Sequence, residues 1–276
     1  MCPRHPDRVS HVRCRRCGRP ACPECQHQVP VGIQCVECVR SAQASFARER
    51  RGRRTQFGAP RGRSSLPVVT YSVIAVCAVV YVLQLIPGSP VTELLWYAPL
   101  HTSEWAFQPW RMLTASVLHS PSSAMHILFN MMALWFVGRV IEPAIGWWRY
   151  LALLVLSAFG GSVAVLFLSP MTVPTVGASG AVFGLFGALF ILLRAAGGQT
   201  GGILALIGVN VVIGFVIPQI SWQGHLGGLI TGVLCALVIA KTPEGPQRTV
   251  WQSGGLIAIG IALCGLTALG VPLVSP

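Results

Sequence analysis

The stretch L-P-V-V-T-Y-S-V-I-A-V-C-A-V-V-Y-V-L-Q-L-I, residues 66 to 86, decides the class of fold. It runs for 21 residues without a charged side chain. A helix rises about 1.5 Å per residue, so about 20 apolar residues suffice to cross the hydrocarbon core of a bilayer. The stretch therefore predicts a transmembrane helix.

The rest of the chain has the same character. Of its 276 residues, 53% are hydrophobic and 10% are charged, whereas a soluble domain carries about 25% charged residues. Six further apolar runs follow, at residues 124–140, 147–167, 177–193, 202–218, 222–240 and 250–272. We therefore expect an all-α membrane protein with seven spans, of which the two inside 202–240 are the least clearly separated.

The positive charge lies almost entirely ahead of the first span. The net charge is +12, and residues 1–63 hold 14 of the 20 Lys and Arg residues against four acidic residues. Residues 41–65 form a basic linker that could bind nucleic acid. Its place beside a span favours attraction to anionic lipid instead. The bilayer is therefore the expected partner, and no nucleic acid is expected.

The remaining basic residues indicate an orientation. If the N-terminal tail is cytoplasmic, the outer loops hold only Arg111. The inner loops then hold Arg139, Arg149, Arg194, Lys241 and Arg248. This is the positive-inside pattern, and the N-terminus lacks the apolar region of a secretory signal peptide. We expect a multi-pass protein of the cell (plasma) membrane with a cytoplasmic N-terminus, an organelle membrane being the alternative.

Four short ligand pairs precede the linker. They are Cys2/His5, Cys14/Cys17, Cys22/Cys25 and Cys35/Cys38. A two-residue gap turns both side chains of a pair toward one ion, and eight ligands suffice for two tetrahedral zinc sites. Because only four residues separate the second and third pairs, we predict a cross-braced module over residues 1–40. Pairs one and three would share one zinc, and pairs two and four the other.

The alternative for these cysteines is a disulfide framework, which requires export from the cytoplasm. It would also leave one of the seven cysteines unpaired. The layout resembles the B-box-type zinc-binding modules. We expect two structural zinc ions in this module, and a role for it in protein binding or regulation at the cytoplasmic face.

Strongly polar residues inside spans are costly and are candidates for function. His126 and Asn130 are spaced i, i+4 and share one face of the second span. Ser179 begins the fourth span and His225 begins the sixth. All three spans run from the outer to the inner side in the expected orientation. These polar groups should therefore meet near one depth toward the outer face.

The residue types allow nucleophilic catalysis. A neutral His225 can take the proton of the Ser179 hydroxyl and later protonate a leaving amine. Asn130, His126 and the backbone N–H of Ser179 can donate to an oxyanion. No Asp lies in these spans, so the site would be a dyad and not a triad. Each residue also has a structural alternative: Ser179 could be a small residue at a helix crossing, His225 could donate to a carbonyl within the bundle, and Asn130 could join two helices.

Small residues support a close approach of the fourth and sixth spans. They are Gly180, Gly184 and Gly187 in the fourth span and Gly224, Gly228 and Gly232 in the sixth. Such faces let two backbones pack closely, and a hydrogen bond between Ser179 and His225 would require that packing.

Five motifs resemble those of the rhomboid family of intramembrane serine proteases. They are Q-P-W-R-M-L-T at 108–114, H-I-L-F-N at 126–130, G-R-V-I-E-P-A-I-G at 138–146, G-A-S-G at 177–180 and G-H-L-G-G at 224–228. The resemblance covers residues 66–241 and implies a six-helix core. Residues 242–276 then hold a seventh helix and the C-terminus.

The resemblance also implies a function. Ser179 and His225 would form the dyad, Asn130 and His126 the oxyanion element, and Phe183 would stack on the base. The substrates would be membrane proteins cleaved in or near a transmembrane helix, at a site open to the outer face and without a catalytic cofactor. A non-catalytic membrane adaptor and a transporter are the competing classes. If the protein were a transporter or channel, its sequence should contain internal repeats or polar residues spread along a path through the helices. It contains neither.

Overall fold

The computed structural model describes residues 1–52, 54–60, 66–217 and 220–274, without the side chains of 47–52. The chain divides into two compact units, Met1–Thr55 and Gln56–Pro276. Residues 53 and 61–65 of the predicted linker, residue 218 of the fifth predicted span, and residues 275–276 lie outside the described part.

The N-terminal unit consists of a short turn, a two-stranded antiparallel sheet and one helix. A 3₁₀ turn at Pro23–Cys25 leads into β1 (Gln26–Val29), which pairs antiparallel with β2 (Gly32–Cys35), and α1 (Val36–Gly52) follows. Among the side chains that the structure describes in this unit, the buried ones are those of Cys2, Cys14, Ala21, Cys22, Cys25, Cys35 and Cys38. Since this core consists almost wholly of thiols, aliphatic packing contributes little to its stability.

The second unit is helical throughout. Its helices are α2 (Val68–Gln84), α3 (Val91–Leu95), α4 (Arg111–Thr114), α5 (Ala124–Ile145), α6 (Trp147–Leu168), α7 (Ser179–Ala195), α8 (Gly201–Val216), α9 (Trp222–Lys241) and α10 (Arg248–Gly270). Short 3₁₀ turns lie at Pro99–Thr102, Ala115–Val117 and Val271–Leu273. Each of the seven predicted spans is therefore a helix, and the region 202–240 does divide in two.

The apolar helices differ in length. Four of those in the described residues are long enough to cross a membrane by length and composition: α5, α6, α9 and α10 with its 3₁₀ extension. The other three, α2, α7 and α8, have 16 or 17 residues. The chain is thus a multi-pass membrane protein with some spans shorter than their apolar runs.

Several predicted boundaries are off by a few residues, for identifiable reasons. The fourth span begins at Ser179 and not at 177, because Gly177 has a φ of +128°, a value that few other residues adopt. α8 ends at Val216, just before Pro218, whose preceding residue is biased away from helix. The second span continues to Ile145 rather than ending at 140, with Pro143 in its last turn and Gly146 (φ +88°) ending it.

Glycine contacts bring α7 and α9 together at the centre of the unit. A Cβ on Gly228 would overlap the backbone of Gly180, and one on Gly232 would overlap the backbone of Gly184. α6 approaches α9 in the same way, since a Cβ on Gly227 would overlap the carbonyl of Gly160. The predicted close approach of the fourth and sixth spans is confirmed.

Two further contacts hold the unit together at its edges. Gln252 of α10 accepts a hydrogen bond from Arg149 Nε at 2.7 Å and donates to the carbonyl of Ile239 at 2.9 Å, which ties α10 to α6 and α9. Residues 56–60, which fall within the predicted linker, also pack against the helical unit. Gln56 donates to the carbonyl of Ala195 at 3.0 Å, and Phe57 is only 7% exposed.

Glu142 in α5 caps the start of α2. Its carboxylate accepts the backbone N–H groups of Val69 and Thr70, each at 2.9 Å, and the Thr70 hydroxyl at 2.8 Å. The first N–H groups of a helix have no intrahelical partner and carry a partial positive charge. A buried carboxylate, here 3% exposed, therefore stabilises both helices at this point.

We expect Glu142→Gln to lower the free energy of unfolding by about 2 kcal/mol, because an amide cannot accept all three bonds and carries no charge. Reversible chemical denaturation in mixed micelles measures this change. Glu93→Gln is the matched control, since Glu93 is exposed, and it should change stability by less than about 0.5 kcal/mol. Equal unfolding midpoints for both variants would show that the cap contributes nothing.

Candidate active site

Ser179 is the first residue of α7, and the segment before it is fixed by backbone bonds. Thr175 exchanges hydrogen bonds with Tyr97 at 2.7 and 3.2 Å, and the Gly177 N–H donates to the carbonyl of Ala115 at 2.9 Å. Ser179 thus lies at a helix N-terminus, where backbone N–H groups are available to an oxygen anion. The predicted position at the start of the fourth span is confirmed.

His225 lies against the helix that Ser179 begins. Phe183, one turn after Ser179, stacks on the His225 imidazole with a centroid distance of 4.0 Å and an angle of 16° between the rings. Residues i and i+4 share a helix face, so the imidazole packs on the face of α7 that carries the serine. The stacking expected from the resemblance is confirmed.

No hydrogen bond joins the Ser179 hydroxyl to His225 within the described residues. Resting active sites often hold such pairs at longer distances than the substrate complex does. The orientation of the ring therefore depends on its stack with Phe183 and on the α9 backbone, where the His225 N–H donates to the Ser221 carbonyl at 3.2 Å.

His126 approaches the serine from α5. Its Nδ1 accepts the Ser120 N–H at 3.2 Å, which leaves Nε2 as the protonated nitrogen of the neutral ring. A Cβ placed on Gly177 would lie 2.8 Å from His126 Nε2 and 3.7 Å from Ser179 Oγ. Nε2 of His126 and Oγ of Ser179, which belong to two predicted site residues, therefore both lie close to Gly177.

Asn130 lies one turn deeper on the same helix. It is 7% exposed, and its Nδ2 donates to the carbonyl of His126 at 2.8 Å. One of its two amide protons is used in this way, and the second is left for another acceptor. Asn130 therefore makes one hydrogen bond within α5 and keeps a second N–H that could donate to a substrate oxygen.

The sequence did not predict two hydrogen bonds that fix the backbone of His119, whose ring contacts that of His126. Gln84, at the end of α2, accepts the His119 N–H at 3.0 Å and donates to the His119 carbonyl at 2.9 Å. The His119 ring is fully buried and lies edge-on to His126 at 5.2 Å. Burial lowers its pKa to about 4, so the ring is neutral at physiological pH. A Gln at the end of an apolar span was a signal for this contact.

Arg111 organises the long loop between α2 and α5. It is 7% exposed. Its guanidinium donates to Gln108 Oε1 at 2.7 Å, to the Glu93 carbonyl at 2.7 Å and to the Trp96 carbonyl at 3.1 Å. Within the motif Q-P-W-R-M-L-T, Arg111 therefore has a structural role, whereas the neighbouring Trp110 is exposed.

The N-terminal unit brings the eight predicted metal ligands into two clusters. One contains Cys2, His5, Cys22 and Cys25, and the other contains Cys14, Cys17, Cys35 and Cys38. The ligand atoms of each cluster lie within 4.8 Å of one another. The first pair thus lies with the third and the second with the fourth, which is the grouping that cross-bracing predicts.

The donor sets fit a tetrahedral metal ion. With Zn–S bonds of about 2.3 Å, the sulfur atoms of a tetrahedron lie about 3.8 Å apart. Cys17 Sγ and Cys35 Sγ are 3.7 Å apart, and His5 Nδ1 lies 3.2 Å from Cys22 Sγ and 3.5 Å from Cys25 Sγ. Both clusters can hold a metal ion, and Cys₃His and Cys₄ sets are typical of structural zinc.

Comparison with known proteins places the helical unit in a family. A rhomboid domain matches residues 106–242. Over 190 residues the chain is 30% identical to the rhomboid-family protein YdcA of Bacillus subtilis (strain 168), an alignment that covers 64% of this chain and 91% of YdcA. The chain therefore belongs to the rhomboid family.

Other relatives are named rhomboid proteases, GluP and GlpG among them. Rhomboid protease GluP of Bacillus subtilis (strain 168) is 34% identical over 194 residues, which cover 65% of this chain and 36% of GluP. Rhomboid protease GlpG of Salmonella typhi is 31% identical over 180 residues, which cover 62% of each chain. The chain thus spans about a third of GluP, and its metal-ligand clusters lie outside the matched rhomboid domain.

Proposed function

We propose that this chain is an intramembrane serine endopeptidase with Ser179 as nucleophile and His225 as general base. The stack of Phe183 on His225 carries the proposal. It places an imidazole on the face of α7 that begins with Ser179, within a family whose named members include proteases. A serine that served only as a small packing residue would not need a histidine fixed beside it.

The residues support a two-step acyl transfer. His225 takes the hydroxyl proton as Ser179 Oγ attacks the scissile carbonyl carbon, and then gives that proton to the leaving amine. His225 next takes a proton from the water that attacks the ester on Ser179, and it returns that proton to Ser179 Oγ as the ester bond breaks and the second product leaves as a carboxylic acid. The His126 Nε2–H, the second amide proton of Asn130 and the Ser179 N–H would donate to the oxyanion in each step.

The substrates would be membrane proteins cleaved in or near a transmembrane segment. A peptide in a membrane helix has its backbone groups satisfied, so it must leave the helix before a carbonyl can reach Ser179. Segments with small or helix-destabilising residues therefore suit the site best. The positive-inside pattern supports a plasma-membrane location with the N-terminus in the cytoplasm and the site open to the outer side.

The N-terminal module would hold two structural zinc ions and would present a surface to a cytoplasmic protein. Residues 1–40 would form this module, 41–65 a basic linker beside anionic lipid, 66–241 the protease core, and 242–276 the seventh helix and C-terminus. The catalytic steps above use no metal, because every proton transfer in them is assigned to a side chain.

Cleavage in proteoliposomes tests the proposed function. The substrate is a single-span reporter with an Ala-Gly pair near the outer end of its span, and the matched control substrate has Leu at both positions. We expect the wild type to cut the first reporter near the pair, as mapped by mass spectrometry, and to spare the second. A folded, metal-bound wild type that cuts neither reporter and does not react with a fluorophosphonate would favour the non-catalytic adaptor.

A further inference from the structure

Gln84, the last residue of α2, makes three hydrogen bonds that fix its side chain. Its Oε1 accepts the His119 N–H at 3.0 Å, and its Nε2 donates to the His119 carbonyl at 2.9 Å and to Thr92 Oγ1 at 3.0 Å. Both amide protons are therefore used. Because a flipped amide would bring Oε1 against the His119 carbonyl, only one orientation of this group satisfies its partners.

The bond to the His119 carbonyl acts on the next N–H of the chain. The His119 carbonyl and the Ser120 N–H belong to one peptide unit, which is planar, and in its trans form the two groups point in opposite directions. The Ser120 N–H donates to His126 Nδ1 at 3.2 Å. Gln84 and His126 therefore hold the same peptide plane from its two sides.

This peptide unit depends on Gln84 for its position. Within the residues that the structure describes, no backbone group bonds to the carbonyl or the N–H of His119. The next bond along the chain, from the Ser123 N–H to the Ser120 carbonyl at 3.2 Å, belongs to the following peptide unit. Hydrogen bonds in line also polarise one another. The bond that Gln84 donates to the carbonyl thus makes the Ser120 N–H a stronger donor.

The bond to Nδ1 decides which nitrogen of His126 carries the proton. A neutral imidazole has one N–H and one acceptor nitrogen, so acceptance at Nδ1 leaves the hydrogen on Nε2. Nε2 is the nitrogen that lies close to Gly177, as Ser179 Oγ does. In the other tautomer, Nε2 would present a lone pair there and would repel a developing oxyanion, which needs a donor already in place.

We propose that Gln84 is a positioning residue for the oxyanion site. By holding the His119 carbonyl it orients the Ser120 N–H, and that N–H keeps the Nε2–H of His126 available to the oxyanion. Gln84 itself touches no reacting atom, since it acts through one peptide unit and one imidazole. This role rests on the proposed function, in which His126 donates to the oxyanion formed at Ser179.

A matched pair of variants tests this role in the full-length protein. Gln84→Met keeps an unbranched side chain of similar length but loses both bonds to His119. Thr92→Val is the control, because it removes only the bond of Gln84 that does not lead to His126. We expect Gln84→Met to react with a fluorophosphonate about tenfold more slowly than the wild type, and Thr92→Val to stay within about twofold of it.

A double variant separates positioning of His126 from a general loss of packing. His126→Ala alone should lower the labelling rate constant by about 10²-fold, since it removes one oxyanion donor. If Gln84 acts through His126, adding Gln84→Met to His126→Ala should slow labelling by less than about twofold more. A full further tenfold loss in the double variant, or a wild-type rate for Gln84→Met alone, would overturn the positioning role and leave the dyad intact.

An NMR measurement covers the case in which Gln84→Met does not fold. In wild type with ¹⁵N-labelled histidine, the signals of His126, identified by their loss in His126→Ala, should be those of a ring protonated at Nε2 alone. A ring protonated at Nδ1 would overturn the positioning role. A folded wild type that does not label at all would overturn the proposed function, and the role of Gln84 with it.

Discussion

Alanine at Ser179 should abolish labelling by a fluorophosphonate, and alanine at His225 should lower its rate by about 10⁴-fold or more. The hydroxyl oxygen forms the bond to phosphorus, so its removal leaves no nucleophile. The imidazole takes the hydroxyl proton during attack, and a neutral serine without a base is a weak nucleophile. Purified protein in detergent, followed by in-gel fluorescence over time, measures both effects.

Asn210→Ala provides the control for the loss of a polar side chain within a span. Asn210 lies on α8 and bonds only to the carbonyl of Leu206 among the described residues, at 2.9 Å, and its variant should label at the wild-type rate. Each variant must also retain the thermal unfolding midpoint of the wild type. Undiminished labelling of Ser179→Ala would mean that another residue is the nucleophile, and a wild-type rate for His225→Ala would remove the dyad.

The positions of the spans could be predicted because a bilayer imposes a simple rule on sequence. Uncharged runs of about 20 residues have few alternatives to a helix across the membrane, and each such run is a helix. The exact ends of these helices could not be predicted in the same way, because each depends on the conformation of a single residue. Gly177, whose φ is positive, is an example. The cap that Glu142 provides for α2 could not be foreseen, because its partners Val69 and Thr70 lie more than 70 residues away.

The candidate site could be predicted in part for a related reason. Ser179, His225 and the His126–Asn130 pair are polar groups in apolar runs, so they stand out in the sequence. Gln84 stands out in the same way, but its partner is the backbone of His119, 35 residues on, and a backbone group leaves no trace in sequence.

Removal of zinc should unfold the N-terminal unit and leave the helical unit folded. Among the described side chains of residues 1–55, the buried ones almost all belong to the two clusters, so bound zinc would replace an apolar core as the source of stability. Structural zinc contributes about 10–16 kcal/mol in small modules at neutral pH. Limited proteolysis of the full-length protein with and without a strong chelator measures this, and cleavage should become rapid only before Thr55.

Metal content provides the control for that experiment. Elemental analysis should find about two zinc ions per chain in the wild type, and fewer in His5→Ala. His27→Ala should retain both, because His27 is an exposed residue of β1 outside both clusters. An intact, protease-resistant N-terminal unit after complete chelation would show that zinc is not what stabilises it.

Cobalt substitution distinguishes the cross-braced pairing from pairing in sequence order. Both arrangements give one Cys₃His and one Cys₄ site, but they assign Cys14 differently. In the structure Cys14 belongs to the Cys₄ cluster, whereas sequential pairing would place it with His5. The ligand-field spectrum of Cys14→Ser should therefore keep the Cys₃His signature and lose that of Cys₄, and Cys22→Ser should do the reverse. Because the ligand pairs interleave, loss of both ions in either variant would also fit cross-bracing, whereas the opposite assignment of signatures would contradict it.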